Sequence, residues 1–210
     1  MKVKVCGLRR PSNIRKLAKL DVDYLGFIFA NRSPRKLINM DNVDLMIRQI
    51  HTPKVGVFVN ADLDFIQTKV RRYQLDFVQL HGDESPQFVA EVGELCSVIK
   101  VFKLESGFDF QRTADYSAAD FFLFDTKGKY AGGNGTKFDW SVLEKYGGST
   151  RFMLSGGIHL ADVFDIRRIE HPQLLGVDIN SGFEISPGDK NIEVIRKFVE
   201  ELKQEESYAD

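Results

Sequence analysis

The chain has 210 residues, enough for one sizeable core or at most two small ones. Its 29 Lys+Arg against 30 Asp+Glu give a formal net charge of −1, and no basic block appears, which excludes the field of a protein built to hold nucleic acid or an anionic membrane. With 43% hydrophobic and 28% charged residues it has an ordinary globular composition, and its two cysteines, Cys6 and Cys96, make no secreted disulfide framework.

The N-terminal run MKVKVCG lacks the apolar core of a signal peptide, and no run approaches the ~18–20 apolar residues of a membrane span. A cytoplasmic protein is expected. Lys2–Cys6 reads as the first strand, followed by a helix capped by Ser12 with Ile14, Leu17 and Ala18 on one face. Tyr24–Phe29 is an almost wholly apolar second strand. Asp41 then caps a helix whose Val43, Met46, Ile47 and Ile50 form an amphipathic stripe. Lys54–Val59 is the third strand, and Asp62 opens a helix carrying Ile66, Val70 and Tyr73. Phe77–Leu80 is the fourth. Ser85-Pro86 supplies a cap and a first-turn proline for a helix with Phe88, Val89 and Val92.

The second half repeats the scheme. Val98–Phe102 is the fifth strand, followed by a weaker helical stretch over Phe108–Tyr116. Phe121–Phe124 is the sixth, followed by a glycine-rich loop and a helix from about Asp139. Arg151–Leu154 is the seventh, with a helix around Ala161–Arg168, and Leu174–Ile179 is the eighth. Asn191 caps a last helix with Ile195, Phe198, Val199 and Leu202 on its inner face. Residues 204–210 form a charged tail that frays, leaving 1–203 as one domain. Eight strands, each followed by a helix at a spacing of about 25 residues, predict an α/β fold of the (β/α)8 TIM-barrel type. Strands without strict alternation agree, because parallel strands are buried on both faces. An open doubly wound sheet is the alternative, but the G-x-G-x-x-G of its first turn is absent.

In such a barrel the functional groups stand at the C-terminal ends of the strands. Those ends carry Cys6-Gly7, Gln79 with His81-Gly82, Asp125, Ser155-Gly156-Gly157, and Asp178 with Ser181-Gly182. Two strand ends rich in Ser and Gly after strands seven and eight suit a phosphate, which needs close approach to backbone N–H groups. Cys6 is either a small buried hydrophobe or a base whose pKa its surroundings lower. Asp125 is an acid at the lip of an apolar strand, a helix cap, or half of a loop salt bridge. Asp178 could orient a neighbour, and His81 could hydrogen-bond within its turn. Arg35, in Asn31-Arg32-Ser33-Pro34-Arg35, is a solvated charge or a bidentate carboxylate clamp. The loop Lys127–Thr136 is a floppy connection or a hinged lid. No cluster has metal-ligand spacing, and no Walker-type loop is present. The residues alone thus point to a barrel that binds a phosphorylated small molecule, with a possible acid/base pair in Cys6 and Asp125.

The runs VKVCGLRRPSN, LGFIFANRSPR, KVGVFVN, DFVQLHGDE, FDTKGKYAGGNGTKFDW, FMLSGGI and GVDINSGFEISPG resemble the phosphoribosylanthranilate isomerase family of tryptophan biosynthesis, in the right order from the first strand to the last helix. The resemblance implies an Amadori rearrangement of N-(5-phosphoribosyl)anthranilate to 1-(2-carboxyphenylamino)-1-deoxyribulose 5-phosphate, with no metal or organic cofactor. It implies Cys6 as general base and Asp125 as general acid, Arg35 on the anthranilate carboxylate, and Gly156, Gly157, Ser181 and Gly182 on the phosphate. It also implies His81 and Asp178 in the pocket, a small molecule as the partner, no nucleic acid or membrane, and a monomer or homodimer. Asn134 and Asn180 depart from the family pattern in the lid and phosphate loops. Two other readings compete. The histidine-pathway isomerase runs the same rearrangement on an aminoimidazole but uses an Asp at the first strand, where this chain has Cys6. A non-catalytic phosphosugar-binding barrel would bind without turnover.

Overall fold

The computed structural model describes residues 1–38, 42–105, 107–126 and 140–204. Eight parallel strands close into one barrel: β1 (Lys2–Val5), β2 (Tyr24–Ile28), β3 (Lys54–Phe58), β4 (Phe77–Leu80), β5 (Ser97–Leu104), β6 (Phe121–Thr126), β7 (Phe152–Ser155) and β8 (Leu174–Ile179). Each pairs with the next in sequence, and β1 closes on β8 with Lys4 opposite Asp178 and Val5 opposite Ile179. A two-stranded antiparallel hairpin, β9 (Glu184–Ser186) and β10 (Asp189–Lys190), follows β8. The (β/α)8 expectation holds.

The outer layer is less regular than a helix after every strand. Six α-helices are present among the described residues: α1 (Pro11–Leu17), α2 (Val43–Arg48), α3 (Leu63–Tyr73), α4 (Pro86–Gly93), α5 (Val163–Arg167) and α6 (Ile192–Lys203). After β5 and β6 the helices among the described residues are 3-10, Phe110–Tyr116 and Trp140–Lys145. Leu160–Asp162 is likewise 3-10, so the helix expected around 161–168 is split. Ser85 and Asn191 cap α4 and α6 as expected, each accepting a backbone N–H three residues on, and Asp62 caps α3 in the same way. Ser12 does not cap α1: the helix already begins at Pro11, whose fixed φ suits a first helical position. Asp41, Asp139 and the loop 127–136, which contains Asn134, lie outside the described residues.

Side-chain alternation divides the core in two. Outward-facing residues such as Val3, Leu25, Val78, Phe122, Leu154 and Val177 pack under the helices in one large cluster. Inward-facing Tyr24, Val55, Ile99, Val101, Phe121, Leu123 and Met153 fill the barrel itself, with Tyr24, Phe77 and Phe121 in mutual ring contact. Above them, Cys6, Ile28 and Val57 form a small apolar group near the mouth. The interior is a plugged core, and among the described residues a cavity opens at its C-terminal end.

Candidate active site

A cavity of about 180 Å³ opens at the C-terminal ends of the strands. Cys6, His81, Asp125, Gly156, Gly157, Asp178, Ser181 and Gly182 all line it, together with Ile28, Val57, Gln79, Ser155, Ile158 and Asn180. Of the nine residues given roles from the sequence, Arg35 alone is not in that lining. Every strand but β5 supplies a residue to this lining, from its C-terminal end or from the loop just beyond it.

Cys6 directly follows β1, 4% exposed, with its N–H donating to Ile179 O at 2.9 Å. A glycine on the neighbouring strand makes room for it. A Cβ at Gly26 would stand 2.9 Å from Cys6 Sγ and 3.0 Å from its Cα. Burial pushes the thiol pKa up, Lys4 and Lys190 pull against that push, and the Asp178 carboxylate adds to it.

Asp125 does not follow its strand but belongs to it. β6 continues to Thr126, and Asp125 is in register with Lys103 on β5 and Ser155 on β7. The ladder therefore fixes its backbone, which a loop position would not. His81 Nε2 stands 3.4 Å from Asp125 Oδ2, and Gln79 Nε2 is 3.2 Å from His81 Nδ1. If Gln79 donates there, the imidazole carries its proton on Nε2, facing Asp125. Gln79 is 1% exposed, and its Oε1 has no partner among the described residues although the side chain lines the cavity.

Asp178 is the inward residue of β8 opposite Lys4, and Lys4 Nζ donates to its Oδ1 at 2.9 Å. Burial raises the Asp178 carboxyl pKa despite that lysine. Burial also disfavours the Lys4 ammonium, but Asp178 and the Cys6 thiol outweigh it, so Lys4 holds its proton more tightly than usual.

The ends of β7 and β8 abut. Gly156 and Gly157 have φ of 104° and 61°, and a Cβ at Gly182 would fall 2.1 Å from Ile158 O. Backbone rather than side chain therefore faces the cavity between these loops, as a phosphate site requires.

Arg35 is engaged elsewhere. Its Nε lies 2.9 Å from both carboxylate oxygens of Glu184 and its Nη2 2.8 Å from Oε2. Glu184 also accepts from Gly188 N–H at 3.0 Å and Lys190 Nζ at 2.9 Å. Burial works against the Glu184 carboxylate, but these donors hold its pKa below the ordinary value. Lys190 is itself buried, which lowers its pKa although Glu184 opposes the shift, and it also donates to Asn180 Oδ1 at 2.7 Å. The β9–β10 hairpin thus ties the loop after β2 to the end of β8.

Sequence reasoning missed Lys4, Glu184 and Lys190, and left Gln79 without a role. Lys4 carried a usable signal: it sits two residues before Cys6 on one strand, so both must face the same side.

The model for the family N-(5'-phosphoribosyl)anthranilate (PRA) isomerase matches residues 3–201. The N-(5'-phosphoribosyl)anthranilate isomerase of Parabacteroides distasonis is 42% identical over 206 residues, covering 96% of this chain and 93% of the relative. The crystal structure of phosphoribosyl anthranilate isomerase from Thermotoga maritima superposes with a TM-score of 0.83 at 30% identity, covering 97% of this chain and 98% of that one. Another structure from that organism shows monomers generated from the dimeric enzyme. A phosphoribosyl anthranilate isomerase in complex with reduced 1-(o-carboxyphenylamino)-1-deoxyribulose 5-phosphate matches with a TM-score of 0.81 at 28% identity, covering 97% of this chain and 98% of its own.

Proposed function

The chain belongs to the N-(5'-phosphoribosyl)anthranilate isomerase family, and we propose that its barrel mouth carries out that family's rearrangement with Asp125 as acid and Cys6 as base. The protein is an isomerase of tryptophan biosynthesis, converting N-(5'-phosphoribosyl)anthranilate to 1-(2-carboxyphenylamino)-1-deoxyribulose 5-phosphate. The division of labour among its residues is our reading, and one observation carries it. Cys6 from β1 and Asp125 from β6 line the same small cavity, and the backbone of Gly156, Gly157, Ser181 and Gly182 lines it between them, at the ends of β7 and β8.

The phosphate anchors on those two loops and fixes the ribose across the mouth. Asp125, as the carboxylic acid, gives its proton to the furanose ring oxygen. The C1–O bond breaks, and the nitrogen lone pair forms the C1=N bond of the Schiff base. The Cys6 thiolate then removes the C2 proton. The C–H electron pair becomes the C1=C2 bond, the C1=N pair returns to nitrogen, and the enolamine tautomerises to the ketone. Each proton transfer by a placed group contributes roughly 10²–10⁴ in rate. His81, within reach of Asp125, steadies the acid through its proton cycle, and Asp178 lines the pocket beside the base. Arg35, oriented by Glu184, takes the anthranilate carboxylate. On the same reading the enzyme is cytoplasmic and works as a monomer or homodimer. No described helix is long and apolar enough to cross a membrane.

Turnover followed by loss of the anthranilate-type fluorescence of the substrate tests these roles. Cys6→Ala and Asp125→Asn should each lose most of it while circular dichroism stays native. Wild-type turnover in either variant removes that residue from the chemistry.

A further inference from the structure

The reaction described above gives Lys4 no task. Lys4 is 0% exposed, set among apolar strands where a lone ammonium would not survive. Part of its compensation is the Asp178 carboxylate at 2.9 Å. The rest comes from geometry. Side chains alternate along a strand, so Lys4 and Cys6 share the interior face of β1 about 7 Å apart along the chain, and β8 sets Asp178 directly beside Lys4. The ammonium therefore lies just below the thiol, with its carboxylate partner to one side.

The apolar neighbours of Cys6 come from β2 and β3: it meets Gly26 and Ile28 of β2, and Val57 of β3. The charged groups acting on it are Lys4 from β1, Asp178 from β8 and Lys190 from β10, and Asp178 in turn feels His81 of the β4 end and Asp125 of β6. Lys190 is occupied by Glu184 and Asn180. Lys4 is thus the cation best placed to oppose the burial of a thiolate.

We propose that Lys4 is a positioning residue for the rearrangement: its ammonium, held at that depth by Asp178, stabilises the thiolate form of Cys6. The inference rests on Cys6 as the base. The thiol releases its proton to solvent before turnover, the thiolate collects the C2 proton, and Lys4 keeps its own throughout. Asp178 has two opposed effects, holding Lys4 in place and repelling the thiolate. The electrostatics at the thiol have the same signs: burial and Asp178 raise its pKa while Lys4 lowers it.

The opposed signs make a test that simple loss of packing cannot imitate. The Cys6 titration is read from thiolate ultraviolet absorbance against pH, each protein differenced against its own Cys6→Ala counterpart so that Cys96 and the tyrosines cancel. The proteins are wild type, Asp178→Asn, and Lys4→Met with Asp178→Asn. The double variant leaves no unpaired buried charge, and Lys4→Gln replaces Lys4→Met if the latter fails to fold. Asp178→Asn should lower the Cys6 midpoint. Removing Lys4 from that background should raise it by at least about one pH unit, a tenfold loss of thiolate below the midpoint. A folded double variant whose midpoint coincides with that of Asp178→Asn overturns the proposal. Turnover of Cys6→Ala answers separately whether Cys6 is the base.

Discussion

The guanidinium of Arg35 is closed onto the carboxylate of Glu184, with Nε 2.9 Å from both oxygens and Nη2 2.8 Å from one of them. The two residues are 149 apart in sequence and come from the loop after β2 and from β9. Glu184 is nearly buried on its side chain and Arg35 about a quarter exposed. An arginine held this way presents its remaining edge in a fixed direction, which is how a carboxylate receptor is prepared before its ligand arrives.

The first prediction follows from that arrangement. Arg35→Ala should raise KM for phosphoribosylanthranilate by roughly ten- to a hundredfold, since hydrogen bonds to a charged group contribute about 1.5–3 kcal/mol. Glu184→Gln should raise KM less and leave kcat within a fewfold, because the receptor loses orientation rather than charge. Steady-state kinetics on both variants checks this. An unchanged KM in Arg35→Ala would assign Arg35 to the architecture of the hairpin alone.

The same carboxylate predicts a stability profile. Glu184 has a depressed folded-state pKa, so its contribution is fully present above its unfolded pKa of about 4.3 and is lost as pH falls through the lower folded value. The destabilisation caused by Glu184→Gln should therefore be largest above about pH 4.5 and shrink as pH falls below it. Asp23, held down by Val3 N–H, Lys2 and Lys203 despite partial burial, has the same sign, while buried Asp178 has the opposite one. Comparing variant with wild type cancels both. Urea denaturation at several pH values between 3 and 7, on the order of the window set by that pKa, measures the difference.

What the sequence showed and hid follows from the range of the forces involved. β4 and β8 have the limits expected from their apolar runs, and the inner face of α6 is Ile195, Phe198, Val199 and Leu202 as its spacing required. Local patterning carries such features. Asp125 looked like a residue beyond its strand because a hydrophobic run ends at Phe124, yet the ladder to β5 and β7 continues. Lysines are read as solvent-facing by default, so Lys4 gave only its spacing from Cys6, and Lys100 and Lys190 gave no sign of being buried. Their partners lie 174, 16 and 6 residues away, and only the closed barrel and its hairpin bring them together. Eight of the nine site residues converge because strand ends are legible and barrel closure does the rest. Arg35 needed the β9–β10 hairpin, whose short strands have no periodic signal.

A second buried pair predicts a stability effect coupled to the site. Lys100 Nζ donates to Glu84 Oε2 at 2.8 Å and to Gly82 O at 2.7 Å, with both side chains no more than 3% exposed. Glu84 also accepts from Asn60 N–H and Gly82 N–H, so the pair knots the turn immediately after His81. Lys100→Met strands the carboxylate and should cost roughly 3–5 kcal/mol. Lys100→Met with Glu84→Gln should cost less, because no unpaired charge remains. Chemical denaturation separates the two cases; equal losses would show that Glu84 finds enough compensation in its two N–H donors.

The last prediction concerns space rather than charge. Gly26 is the inward residue of β2 beside Cys6, and its missing side chain is where Cys6 sits: an added Cβ would come within 2.9 Å of Sγ, 3.0 Å of Cα and 3.2 Å of Cβ of Cys6. The contacts are with one side chain and with the backbone that carries it, so a rotamer change cannot relieve them all. Gly26→Ala should cost about 1–3 kcal/mol, as overpacking of a tight core does. It should also displace the thiol from the C2 proton, and kcat is sensitive to a shift of that order because proton transfer requires a close approach. The expected outcome is a folded protein with kcat reduced on the order of a hundredfold and KM nearly unchanged, since the nearest contacts of the added Cβ are all with Cys6 and none with the loops after β7 and β8. Steady-state kinetics with a thermal melt distinguishes this from global damage. A variant that melts normally and turns over at the wild-type rate would mean that the position of Cys6 is not critical to the rate, and would count against its role as the base.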